Sequence, residues 1–227
     1  MEYGQFCPIA KATEIIGEKW TILIIRELLM GGNRFSELQR GLSLISPTLL
    51  TKRLNSLELQ GLLIKKRVSG QKGYQYFPTN ACKQLLPIIK SLGDWGMCWA
   101  RNNLSEKDYD VELLMVYLKR SIVLDKLCGD ETVLKFHFQD IEQTPNWWLV
   151  AQQDNVDLCV KDPGKEVDVY FTTKVKTMAD IWMGDTTYKK AIKTKQLTLI
   201  GHKALTQNVS QWMSNSMFTD IPPAKEI

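Results

Sequence analysis

Asn33-Arg34-Phe35-Ser36-Glu37-Leu38-Gln39-Arg40-Gly41 is the most informative run in the chain. Phe35 and Leu38 stand three apart and share one face, which predicts a short helix stopped by Gly41. Leu42-Ser43-Leu44-Ile45 reads as a turn. Ser46-Pro47 then opens a second helix, with Ser as N-cap and Pro at the first helical position, where its missing N–H leaves nothing unsatisfied. That helix runs from Pro47 to about Gln60 and stops at Gly61. At about 100° per residue, Leu50, Leu54 and Leu57 fall in one narrow arc, with Thr48, Lys52 and Asn55 opposite and Thr51 beside them.

The same logic extends in both directions along the chain. Upstream, Pro8 opens a helix carrying Ile9, Ala12, Ile15 and Ile16 to Gly17, and a more apolar helix follows from Thr21 to Met30. Downstream, Leu62 to Val68 and Tyr74 to Phe77 are strand candidates joined by the turn Ser69-Gly70-Gln71-Lys72-Gly73. Lys65, Lys66, Arg67 and Lys72 lie on or near the tip of this hairpin. Helix, turn, helix and basic hairpin, in that order, describe a winged helix-turn-helix. In that arrangement one helix reads bases and the wing lies along phosphate. A major groove about 12 Å wide admits one helix, so the face turned to it must be polar and slender, as Thr48, Thr51, Lys52 and Asn55 are. The residues expected at DNA are Arg34, Ser46, Thr48, Thr51, Lys52, Arg53 and Asn55 from the helices, with Lys66, Arg67 and Lys72 from the hairpin.

Charge partition agrees. The 227 residues carry a net charge of +4, but residues 1–103 hold 14 Lys+Arg against 7 Asp+Glu, a net of +7, leaving −3 for the rest. The basic half suits a polyanion, and the negative remainder is expected to stay off it. Next in the chain, Leu85, Leu86, Ile88, Ile89, Leu92 and Trp95 form one apolar helix from Asn80 to about Trp99, kinked at Pro87. It is too apolar for a free surface, so a homodimer interface is its expected burial site. Arg101 to Asp110 read as a polar linker.

Several functions find no support. No apolar run reaches the ~20 residues of a membrane span, and residues 1–6 lack the features of a signal peptide, so a cytoplasmic protein off the membrane is expected. No Gly-rich phosphate loop is present. His137 and His202 stand apart without a carboxylate or cysteine pattern, and Asp180 and Asp185 read as helix caps. Cys7, Cys82, Cys98, Cys128 and Cys159 make neither a disulfide framework nor a metal-ligand pair. No enzyme, cofactor or metal is expected.

The first hundred residues closely resemble the HxlR family of winged-helix regulators, relatives of the MarR group. The resemblance rests on Cys7-Pro8-Ile9, Gly17-Glu18-Lys19-Trp20, Arg34-Phe35-Ser36-Glu37-Leu38, Ile45-Ser46-Pro47 and Leu50-Thr51-Lys52-Arg53-Leu54. Leu57-Glu58-Leu59-Gln60-Gly61-Leu62 and Tyr74-Gln75-Tyr76-Phe77-Pro78-Thr79 complete it. It implies a transcriptional regulator that binds double-stranded DNA as a dimer. It also implies, as an alternative, redox sensing through Cys7, whose counterpart senses oxidants in some members, in a position before a helix that favours thiolate.

Typical members end soon after the helix containing Trp95, so residues 111–220 are an addition to a first domain of residues 1–103. They read as helices and strands of an α+β domain. Asp168-Val169-Tyr170-Phe171-Thr172, Met178 to Asp185, Ala191 and Lys195 to Gly201 resemble the sterol-carrier-protein fold, a curved antiparallel-rich sheet with helices. That resemblance implies an apolar tunnel. Trp147, Trp148, Trp182 and Trp212, with Met178, Met183, Met213 and Met217, suit either a pocket for an apolar small-molecule effector or an ordinary core. Met178, Trp182 and Met183 are the expected ligand residues. A lipid carrier with a secondary DNA-binding role is the remaining alternative.

Overall fold

The computed structural model describes residues 2–68, 73–127, 129–222 and 224. They form two compact units that divide between Gly96 and Met97.

The first unit begins with α1 (Pro8–Ile16) and α2 (Thr21–Leu29). The turn between them places Trp20 in the left-handed region at φ 78°. A bulky residue there stores strain and must be held by its surroundings. The hold comes from α4 (Pro47–Leu59), whose Arg53 pairs with Glu18 and donates from Nε to the Lys19 carbonyl at 3.2 Å.

Between them, α3 (Phe35–Arg40) starts where the Glu37 carboxylate accepts the backbone N–H groups of Asn33 and Arg34, at 3.0 and 3.1 Å. It ends at Gly41, which is right-handed (φ −69°), so a left-handed cap is not the reason for glycine here. A Cβ on Gly41 would lie 2.2 Å from Glu27 Oε2. Glu27 is fully buried on α2, and its other oxygen receives Arg26 Nε at 2.9 Å. Arg26 also donates to the Gly41 carbonyl at 3.2 Å, which ties α2 to the turn before α4.

Ser46 caps α4 by accepting the Leu49 N–H at 3.3 Å, with Pro47 in the first turn. Leu50, Leu54 and Leu57 are buried in one core with Ile24, Ile25, Leu28 and Leu38. At about 1.5–3 kcal/mol for each leucine, that stripe fixes which way α4 faces. Gly61 takes φ +71° to leave the helix. β1 (Leu63–Lys66) and β2 (Gln75–Pro78) then pair antiparallel, Lys66 opposite Gln75.

The single kinked helix expected from Asn80 is instead two. α5 (Asn80–Lys83), capped by Thr79, is separated from α6 (Leu86–Trp95), which has Pro87 in its first turn. Proline starts the new helix because it lacks only an N–H that the first turn does not use.

In the second unit, Arg101–Asn103 and Glu106–Asp108 are 3₁₀ turns. Arg101 pairs with Asp185 of the same unit, and residues 102–108 are exposed. α7 (Val111–Ser121), capped by Asp110, leads to a five-stranded sheet. Its strands are β3 (Glu131–Phe138), β4 (Asn146–Gln152), β5 (Asn155–Cys159), β6 (Val169–Thr173) and β7 (Leu197–Gly201). Their order is β5-β4-β3-β6-β7, with only β3 and β6 parallel.

Helices α8 (Val175–Met183) and α9 (Tyr188–Lys193) follow β6. Asp140 accepts the Val175 N–H at the start of α8. Asp180 pairs with Lys176 and Asp185 with Arg101, so neither side chain is the cap the sequence suggested. After β7 come two short helices, α10 (Lys203–Gln207) and α11 (Val209–Trp212), which meet at Asn208, whose amide donates to the Ala204 carbonyl.

Beneath the sheet, Phe136 and Phe171 stack at 4.4 Å between ring centroids, and Trp212 meets Phe171 edge-on at 6.2 Å. Trp147, Met178 and Met213 are buried in the same core. Trp148 lies on the opposite sheet face with Val133 and Val150. Most of the tryptophan and methionine that suggested a pocket is therefore core.

Candidate nucleic-acid interface

Because the leucine stripe of α4 is buried, its other face is presented to solvent. Thr48, Thr51, Lys52 and Asn55 are all exposed there. Thr51 spends its hydroxyl proton on the Pro47 carbonyl at 2.9 Å, leaving oxygen lone pairs outward. Lys52 has no hydrogen-bond or ion-pair partner among the described residues and keeps all three ammonium donors. Ser46 is exposed at the same helix end, with its hydroxyl oxygen engaged as the cap. Arg34 is exposed before α3.

Arg53 is different. Its side chain is only 15% exposed and is directed to Glu18 and Lys19. It clamps the strained turn around Trp20 and does not belong with the DNA-facing residues. The sequence could not show this, because the partner lies 34 residues away.

On the hairpin, Lys66 and Arg67 are exposed at the end of β1. The Lys65 ammonium sits over the Tyr74 ring at 4.4 Å, the Arg67 guanidinium lies 5.1 Å from the same ring, and Lys66 lies over Phe77 at 5.9 Å. These cation–π contacts order long side chains before any phosphate is met. Tyr74 is thus an organising residue that charge counting missed. Lys72 lies outside the described residues.

Cys7 is partly exposed and immediately precedes α1, with its carbonyl accepting the Lys11 N–H. Burial pushes the Cys82 thiol up, which makes it a poor nucleophile. The histidines are placed as side players: His137 Nδ1 meets Asn146 Oδ1 at 3.1 Å, and His202 is exposed before α10. Among the described residues no group of three or more His, Cys, Asp or Glu could hold a metal ion, and no helix is long and apolar enough to cross a membrane.

The second unit contains a cleft of about 120 Å³ between α7, α8 and the turn before α7. Trp182 and Met183 line it, together with Leu104, Tyr109, Leu113 and Tyr117. Trp182 stacks on Tyr117 at 4.6 Å and 4°, and its Nε1 donates to Ser121 Oγ at 2.8 Å. Met178 is fully buried in the core and is not among the lining residues, so it is not the ligand residue that the sequence suggested. Tyr109 went unseen because it lies in the stretch that reads as a linker, and Leu113 and Tyr117 because they lie on α7, which no sequence motif ties to a ligand.

A winged helix-turn-helix with a polar, cationic second helix and a basic hairpin defines a DNA-binding regulator. Comparison with known proteins is specific about the kind. Residues 15–104 match the HxlR-like helix-turn-helix family, and residues 121–214 match the SCP-2 sterol transfer family. The uncharacterized HTH-type transcriptional regulator YvaP of Bacillus subtilis is 34% identical over 102 residues, 44% of this chain and 94% of YvaP. Rv3095 of Mycobacterium tuberculosis, also described as an HTH-type transcriptional regulator, is 37% identical over 89 residues, 39% of this chain and 56% of that protein. Among solved structures, quinone-bound YodB from B. subtilis is 26% identical, covering 40% of this chain and 97% of YodB, with a TM-score of 0.36. The chain belongs to the HxlR-like helix-turn-helix family of transcriptional regulators, and carries an SCP2 domain after its DNA-binding half.

Proposed function

We propose that the chain acts as a homodimer that reads operator DNA in the major groove with Thr48, Thr51, Lys52 and Asn55 of α4. The observation that carries this reading is the exposed, hydrogen-bonding face of α4 set opposite a buried leucine stripe. Lys66 and Arg67 hold phosphate and set the register; Arg34 and the end of α4 at Ser46 flank the groove. The dimer face is the α6 stripe Ile88, Leu92 and Trp95, spaced four and three apart and 57%, 49% and 59% exposed. Phe6 and Ile9, also exposed, add to the apolar surface of this unit. Three large side chains left half in water on one helix face are a burial site waiting for its like. Selection of duplexes from a random library by the full chain is the test. It should enrich a symmetric motif whose half-sites lie about one duplex turn apart. Enrichment of no motif, or light scattering at monomer mass, contradicts the reading.

The cleft beside Trp182 supports a further part of the proposal, an apolar effector site in the SCP2 domain. A cavity of about 150 Å³ is enough for benzene, whereas drug-sized ligands occupy roughly 300–1,000 Å³. At about 120 Å³ the cleft suits a single ring or short chain better than a sterol. Such a ligand acts on DNA affinity only through a difference in its own affinity for two arrangements of the dimer.

A further inference from the structure

The negative balance of the second half hides a local exception. Lys189, Lys190, Lys193 and Lys195 fall within seven residues and are all exposed. None has an ion-pair or hydrogen-bonded acid partner among the described residues, whereas Lys165, Lys176 and Arg101 of the same unit are each paired with a carboxylate. α9 buries Tyr188 and Ala191. At about 100° per residue Lys189, Lys190 and Lys193 project together from the opposite side.

Two of these lysines sit where local energetics disfavour them. Lys189 is in the first turn of α9, where the unsatisfied N–H groups favour anions. Lys195 is left-handed at φ 59°, the position after a helix end that glycine ordinarily fills. Its N–H bonds to the Ile192 carbonyl at 3.1 Å and the Gln196 N–H to the Ala191 carbonyl at 2.9 Å, the paired bonds of a Schellman ending. Lys190 and Lys193, in the last turn, gain from the helix itself. Local folding energetics therefore do not explain Lys189 and Lys195.

We infer that the α9 lysine cluster is a second phosphate-contacting surface, which engages duplex flanking the sequence read by α4. This rests on the DNA-binding reading of the first unit. Duplex is the polyanion the observations favour, because a DNA-binding unit in the same chain raises its effective concentration.

The test uses the full chain carrying Lys189→Gln, Lys190→Gln, Lys193→Gln and Lys195→Gly. Binding to a selected duplex, extended by about 20 bp on each side, is measured across a salt series; this adds two turns at 10–10.5 bp each. The slope of log K against log[salt] should flatten by roughly 0.9 for every phosphate no longer neutralised, and by at least one such step. The thermal midpoint should change little, since relief of the left-handed strain by Lys195→Gly and loss of the first-turn cation Lys189 offset loss of the two last-turn cations. An unchanged slope in the variant, with the parent binding normally, overturns the proposal while leaving the first unit's role intact. A parent that binds no duplex removes the DNA-binding reading itself. Loss of binding to phosphatidylserine-containing vesicles alongside an unchanged DNA slope also overturns it and makes the patch a membrane-binding surface.

Discussion

Arg53 and Glu18 form an ion pair that joins α4 to the strained turn between α1 and α2, with Arg53 Nε also bonded to the Lys19 carbonyl. The pair explains why one of two adjacent cations on the same helix faces inward. Lys52, by contrast, is exposed. Arg53→Ala is expected to lower stability by about 1 kcal/mol, since Glu18 is one-third exposed and water screens part of the attraction. It should leave the preference for operator over random DNA unchanged. Urea denaturation read alongside binding checks this; a variant with parental stability and impaired specificity would return Arg53 to the groove.

Gly41 is placed by the same kind of distant constraint. Gly41→Ala inserts a methyl against the buried Glu27 carboxylate, which Arg26 holds in place. Overpacking of this kind is expected to destabilise the first unit by about 1–3 kcal/mol. The fall should appear in the denaturant midpoint, and no change would mean that Glu27 turns away freely.

Much of this unit was legible in the sequence because its signals are local. Ser46-Pro47, the leucine spacing at 50, 54 and 57, and Gly61 each depend on neighbours within a turn or two. Arg53 and Gly41 were misread because their reasons lie across the fold, in Glu18 and Glu27. Pro87 was read as a kink when it starts a helix, since the sequence shows a proline but not which turn it occupies. In the SCP2 domain, strands and helices could be placed from alternation and turns. The burial of Met178 and the lining of the cleft by Tyr109 and Tyr117 depend on which helices meet, which no periodicity records.

Lys66 and Arg67 are ordered by aromatic rings yet remain exposed. Their joint replacement by alanine should weaken binding to all duplexes alike and lower the salt slope by roughly 0.9 for each phosphate released. Equal titrations of operator and random DNA across salt check this. Weakening confined to the operator would mean that the hairpin reads bases.

Trp182 carries two separable interactions, the stack on Tyr117 and the bond to Ser121. Trp182→Phe keeps a ring in the cleft and removes the bond, at an expected cost of about 1 kcal/mol in stability. Titration with single-ring probes such as indole or toluene should change the parent's tryptophan fluorescence saturably, and that component should vanish in the variant. A parent with no saturable response, or an unaltered response in the variant, takes the effector site away from this cleft.

Whether the exposed face of α4 reads DNA sequence is decided by the ratio of affinities for the selected operator and a random duplex. Thr48→Ala and Lys52→Ala, compared with the parent by gel-shift titration of the full chain at fixed salt, should each lower that ratio. Removing a side chain that bonds a base edge corresponds to about 1–3 kcal/mol of discrimination, and neither exposed side chain supports the core, so melting should be unaffected. A ratio unchanged from the parent in both variants would place α4 outside the groove and refute its role as the recognition helix.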